Sequence, residues 1–111
     1  MVNSKGIKRG EVWLARLDPT AGSEIRKTRP CVVISPPEMH DYVHTVIVAP
    51  MTTGSSPAPF RVPVRHLRKN GLILLDQIRT VDKVRLLKRT GMLSPAVLSA
   101  TLATLGELFA E

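Results

Sequence analysis

A chain of 111 residues, 43% hydrophobic and 23% charged, has the composition of an ordinary globular protein and reads as one domain over residues 1–111. It shows no apolar run near the roughly 18 residues of a membrane span and no secretory signal in its polar, basic start, so it reads as cytoplasmic with no membrane partner. The net charge of +7 includes nine cations against two acids between Arg61 and Arg89, which points to a polyanion partner, while aromatics at 4% exclude a base-stacking platform.

Val12 to Leu17 alternates imperfectly after the turn-prone Arg9-Gly10 and predicts a first strand. The segment from Asp18 to Pro30 is a loop in which the carboxylates Asp18 and Glu24, hydroxyls and the cations Arg26, Lys27 and Arg29 crowd together, with cations and hydroxyls suited to a phosphate. Cys31 to Ser35 is β-branched, ends at Pro36-Pro37 and predicts a buried strand. Cys31 is the only cysteine and reads as a small core residue, which excludes an internal disulfide and a cysteine-built metal site. Met39 to His44 reads as a loop with His40 and His44 in solvent, and Thr45 to Ala49 as a third strand.

Gly54 to Pro59 is a loop by composition. Phe60, Val62 and Val64 then alternate with Arg61, Pro63 and Arg65, a half-buried strand that Pro63 assigns to an edge or a bulge. Gly71 to Ile78 predicts a central strand, Asp82 the cap of a short turn, and Leu87 to Met92 a last strand. Ser94-Pro95 starts a helix whose Leu98, Leu102, Leu105 and Phe109 form a stripe expected to pack on the core. Short strands followed by one main helix imply a small antiparallel barrel or sheet, mainly β with a C-terminal helix.

His40, His44 and His66 fall in no spaced cluster with carboxylates, so neither a metal nor a cofactor is expected. There is no glycine-rich phosphate loop and no Gly-x-Ser-x-Gly elbow. What remains are polar groups beside apolar runs: Glu24, Arg29, Thr52 with Thr53, and Asp76-Gln77, placed to meet at one rim of a barrel. Each has a plainer reading too. Thr52-Thr53 suit a turn before Gly54, and Glu24 suits a surface pair with Arg26 or Lys27.

Five segments in order carry a resemblance. They are Arg9-Gly10-Glu11-Val12-Trp13; Leu17 to Glu24 with Thr28-Arg29-Pro30; Val46 to Thr52; Pro59 to Val64; and Leu75 to Asp82. Together they resemble the MazF/PemK toxins of bacterial toxin–antitoxin systems over nearly the whole chain. The resemblance implies a compact SH3-like β-barrel of the MazF/PemK/CcdB type with a C-terminal helix. It also implies a metal-independent, sequence-selective endoribonuclease that cuts single-stranded RNA by attack of a ribose 2′-hydroxyl on the adjacent phosphate.

Under that resemblance Arg29 and Thr52 fall at the family's catalytic arginine and threonine, with Glu24 the local candidate for base or base reader. Arginine itself is a poor base, since its pKa lies above about 12. Asp76 matches a carboxylate that one branch uses in catalysis, but this chain has Ser23 where that branch has a histidine. Ser23, Lys27, Arg61, Asp76 and Gln77 are therefore expected to contact RNA. The implied partners are single-stranded RNA, a second copy of the chain in a homodimer, and a MazE-like antitoxin with an acidic C-terminal segment. Two other readings compete: a gyrase-inhibiting toxin of the same fold, as in the CcdB relatives, and a non-catalytic basic RNA-binding module.

Overall fold

A computed structural model describes residues 6–17, 22 and 27–111. Seven strands, β1 (Glu11–Arg16), β2 (Thr28–Val33), β3 (Thr45–Thr52), β4 (Arg61–His66), β5 (Lys69–Leu74), β6 (Arg79–Asp82) and β7 (Leu86–Met92), form one curled antiparallel sheet. A short α1 (Pro37–His40) precedes β3, and α2 (Pro95–Leu108) closes the chain. The order is β4-β5-β3-β2-β1-β7, with β6 paired to the first half of β3 and β5 to its last two residues. The strand expected over Gly71 to Ile78 instead ends at Leu74 in β5, its second half is a 3₁₀ turn at Leu75–Gln77, and a separate strand, β6, follows beyond it.

The pleat sends alternate residues to two cores. Val32, Ala49, Met51, Ile73 and Leu75 pack in one, beneath Val97, Leu98 and Leu105 of α2. Cys31, Val33, Val46, Val48 and Val81 pack in the other, with Trp13 at its margin. Burial on both faces explains why Cys31 to Ile34 reads as an unbroken apolar run. It also pushes the Cys31 thiol up to about 12, so the side chain stays neutral, as a core residue should.

The edge strands β4 and β7 are joined by side chains. His66 Nε2 lies 3.0 Å from Thr90 Oγ1, giving a half-barrel closed by a polar contact rather than by a ladder. Pro63 lies on edge strand β4, as its missing N–H requires. In α2 the Ser94 side chain accepts from Val97 N at 3.2 Å, the cap that Ser-Pro predicts. The stripe is only partly core. Phe109 is 70% exposed because it lies past the helix end, whereas Thr101 is fully buried and sits one turn beyond Val97.

His40 is the clearest departure from expectation, because it is buried rather than solvated. Its Nε2 lies 2.7 Å from Ser35 Oγ and its Nδ1 3.2 Å from Ile7 O, while Lys83 Nζ donates to its carbonyl. The ring satisfies polar groups that burial would otherwise leave without partners. His44 is exposed, as expected.

The segment Arg9 to Trp13 is structural. Gly10 has φ +92, and a Cβ there would stand 3.0 Å from Leu98 Cδ2, so glycine lets α2 close on β1. Buried Glu11 accepts from Lys8 N at 2.8 Å and Trp13 Nε1 at 3.1 Å, and pairs with Arg89 at 3.0 Å.

Candidate functional site

β2 begins at Thr28, so Arg29 and Pro30 belong to a strand and not to the preceding loop. The residue before a proline favours extended backbone, and Cys31 Sγ donates to Arg29 O at 3.6 Å, holding the main chain from below. Cys31 faces Pro50 across the β2–β3 ladder. The paired register ends there, and continued two residues further it would set Arg29 opposite Thr52. Both line a cavity of about 240 Å³ with Thr53, Met51 and the β4–β5 hairpin. Arg29 and Lys69 are cations, and no acid is among the described residues lining this cavity. The field there suits an anion.

Two features of β5 shape the cavity. Gly71 touches Thr52 so closely that a Cβ would lie 2.8 Å from Thr52 O. The hairpin turn is Leu67-Arg68, with φ 49 and 65, a left-handed pair that usually calls for Asn-Gly. Leu67, 65% exposed, sits at the cavity wall in that strained turn. The Thr52 hydroxyl accepts from Gly54 N at 3.2 Å, the turn contact that Thr52-Thr53-Gly54 suggests. That contact leaves the hydroxyl hydrogen available to donate.

Asp76 and Gln77 do not join this group. From the pair Thr52↔Leu72 each later residue of β5 runs back along β3, away from Thr52. Asp76 instead makes a two-pronged pair with Arg61, Nε to Oδ1 at 3.1 Å and Nη2 to Oδ2 at 3.0 Å. Arg61 also donates to Ser56 O at 3.0 Å and lies over the Phe60 ring at 5.7 Å. The two residues expected on RNA are therefore engaged with each other and outside the cavity lining. Lys27, at φ 68, offers its carbonyl to Leu17 N at 2.9 Å and so closes the loop at its base. Ser23 and Glu24 lie outside the described residues.

The Arg61 guanidinium holds the Asp76 carboxyl below its usual range. A carboxyl with a depressed folded pKa contributes stability above its unfolded pKa, and loses it as pH falls through the folded value. The thermal coupling between Arg61→Gln and Asp76→Asn should be present at neutral pH and shrink as the pH is lowered through the acid range in which the Asp76 carboxyl takes up its proton. Coupling that stays constant on acidification until the fold is lost would show that packing, not ionisation, links the two.

His66 escaped attention in the sequence for lack of a ligand cluster, yet it lines the cavity with Arg29 and Thr52. Its signal was its place in the inward row Val62, Val64, His66 of β4. Among the described residues no group of three His, Cys, Asp or Glu side chains is placed to hold a metal ion. No helix among them is long and apolar enough to cross a membrane.

Residues 8–109 match the family model described as PemK-like, MazF-like toxin of type II toxin–antitoxin system. An endoribonuclease MazF of Staphylococcus epidermidis is 44% identical over 94 residues, covering 79% of this chain and 78% of that protein. An endoribonuclease PemK of Escherichia coli is 33% identical over 108 residues, covering 92% and 81%. The crystal structure of MazF from Deinococcus radiodurans superposes with a TM-score of 0.80 at 27% identity, covering 92% of this chain and 94% of that one. In a MazE–MazF complex from the same organism the matching chain gives 0.70, again at 27% identity and the same coverage. A curled sheet with a terminal helix, a cation-lined cavity and a match over nearly its whole length agree, and the chain belongs to the PemK-like, MazF-like toxins of type II toxin–antitoxin systems.

Proposed function

We propose that this chain is an endoribonuclease toxin that cuts single-stranded RNA sequence-selectively and thereby stops translation and growth. The observation that carries the reading is the meeting of Arg29 and Thr52 in one cation-lined cavity, in a chain whose relatives are named endoribonucleases. The nucleophile is the RNA's own 2′-hydroxyl, so no metal-activated water is needed. Thr52 donates its free hydroxyl hydrogen to a phosphate oxygen, and the Arg29 fork neutralises the charge that gathers on the phosphorane. Glu24, on the loop based at Leu17 and Lys27, supplies a carboxylate for proton transfer or base reading. Lys27 and Ser23 contact RNA from the same loop, while Arg61, Asp76 and Gln77 reach it only beyond the cavity.

The cytoplasm follows as the place of action, because that is where translated RNA is met. An antitoxin partner is supported by the MazE–MazF complexes of the D. radiodurans relative. An acidic antitoxin segment would compete with RNA for the cations between Arg61 and Arg89. The exposed apolar side chains Leu87 and Met92 on edge strand β7, with Leu108 and Phe109 at the end of α2, support a homodimer.

The test is incubation with a long single-stranded RNA in EDTA, followed by sequencing of the ends. Discrete cuts at a recurring motif, with 5′-hydroxyl ends, are expected. Gyrase inhibition without cleavage, or salt-dependent RNA binding without a product, would overturn the reading in favour of the two competing ones.

A further inference from the structure

We propose that His66 is the proton acceptor of the cleavage step, an assignment that rests on the ribonuclease reading above. Along β4, alternation turns Val62, Val64 and His66 to one side. The two valines are buried in the core under α2, and His66 ends the row at the cavity wall.

The ring is fixed from behind. His66 Nε2 lies 3.0 Å from Thr90 Oγ1, and the Thr90 hydroxyl donates to Val12 O at 3.3 Å. A hydroxyl has one hydrogen, and here it is committed to the Val12 carbonyl. Thr90 Oγ1 therefore accepts from the ring, which puts the imidazole proton on Nε2. A neutral ring of that tautomer keeps its lone pair on Nδ1, which makes no hydrogen bond among the described residues. The ring packs against Gly91, where a Cβ would stand 3.0 Å from Cε1 and 3.5 Å from Nδ1, so glycine is what admits the imidazole here.

Burial lowers the His66 pKa from its ordinary value, so the ring is neutral and basic at neutral pH. The charged groups facing the cavity are Arg29 of β2 and Lys69 of β5, and on β7 Arg89 is held by Glu11.

With a phosphate held by Arg29 and Thr52, the neighbouring ribose shares the cavity with His66. Nδ1 takes the 2′-hydroxyl proton as the 2′-oxygen bonds to phosphorus and the P–O5′ bond breaks. The 5′-oxygen takes a proton from water, and the imidazolium returns its own to the hydroxide so formed. The products are a 2′,3′-cyclic phosphate and a 5′-hydroxyl, with no net change in protons. Proton acceptance at His66 leaves Glu24 for base reading.

A purely structural role, bridging β4 to β7, is the competing explanation, and His66→Gln separates the two. Glutamine retains an N–H to reach Thr90 but has no basic atom. Substrates are a single-stranded oligonucleotide spanning a mapped cut and its counterpart with a 2′-deoxy sugar at that cut. The variant should match the wild type in melting temperature and in affinity for the 2′-deoxy strand. Its cleavage rate should fall about 10²-fold or more. The acidic limb of the wild-type pH–rate profile, set by His66, should vanish with it. In the wild type, the His66 ring resonances should move when the 2′-deoxy strand binds, a measurement that requires no variant to fold.

Cleavage by His66→Gln at the wild-type rate with its acidic limb intact would overturn the assignment and leave the ribonuclease reading standing. Ring resonances unmoved at saturation would do the same. A wild-type chain inert on every RNA would instead overturn the ribonuclease reading itself.

Discussion

Arg29→Ala should slow RNA cleavage by about 10²- to 10³-fold while leaving the fold intact, the loss typical of removing one aimed charge from a transition state. Arg29 is exposed at the start of β2, so truncation removes no core contact and the melting temperature should hardly move. The phosphorane gathers a second negative charge only as the 2′-oxygen attacks, and Arg29 is the one arginine lining this cavity among the described residues. Its loss should therefore act on the cleavage rate more than on binding of the intact strand. Arg29→Lys should recover part of the rate, because it restores the charge without the two-pronged fork. Single-turnover rates on a mapped oligonucleotide, read beside melting curves, check both effects. Full activity in Arg29→Ala would remove Arg29 from the chemistry.

Gly71→Ala is expected to lower stability by about 1–3 kcal/mol and to carry activity down with it. Alanine in place of a strand glycine would ordinarily help by roughly 0.5–1 kcal/mol, through the lost freedom of the unfolded chain. Here the added Cβ meets Thr52 O at 2.8 Å and Thr52 C at 3.3 Å, both main-chain atoms of β3. A flexible side chain could swing aside, but a paired strand must shift as a unit, so the clash outweighs the entropic gain. The atoms that move are those of the residue proposed to bind phosphate. Gly106→Ala is the control, since nothing stands within 4 Å of a Cβ built at that helical position. It should raise stability by roughly 0.5–1 kcal/mol with cleavage unchanged. Denaturant melts together with cleavage rates would separate the two sites, and a Gly71→Ala chain of wild-type stability and rate would refute the packing argument.

The two expectations meet at Thr52. Arg29 is carried to the cavity on β2, and Thr52 is held from the far side by a glycine contact and from its own turn by Gly54. Activity and stability are thus expected to change together when the end of β3 is disturbed.

Local chemistry alone determined most of the elements. Alternation and β-branching marked β1, β2, β3 and β4, and Ser94-Pro95 marked the start of α2, because pleat and cap geometry depend on near neighbours. The ordered motifs likewise carried the family and the choice of Arg29 and Thr52. Contacts across the sheet lay beyond the sequence. The Leu67-Arg68 turn carries no Asn-Gly signal, and the break between β5 and β6 reflects pairing to two different parts of β3. His40 could not be known as buried until Ser35, Ile7 and Lys83 closed around it. Asp76 and Arg61 are fifteen positions apart, and only the fold shows that they engage each other instead of the cavity. Likewise a histidine without a ligand cluster is seen to line the cavity only once the curled sheet brings β4 to β7 and sets its ring against Thr90. Spacing along a chain reports short-range geometry, whereas which side chains satisfy one another is settled by strands that meet far apart in sequence.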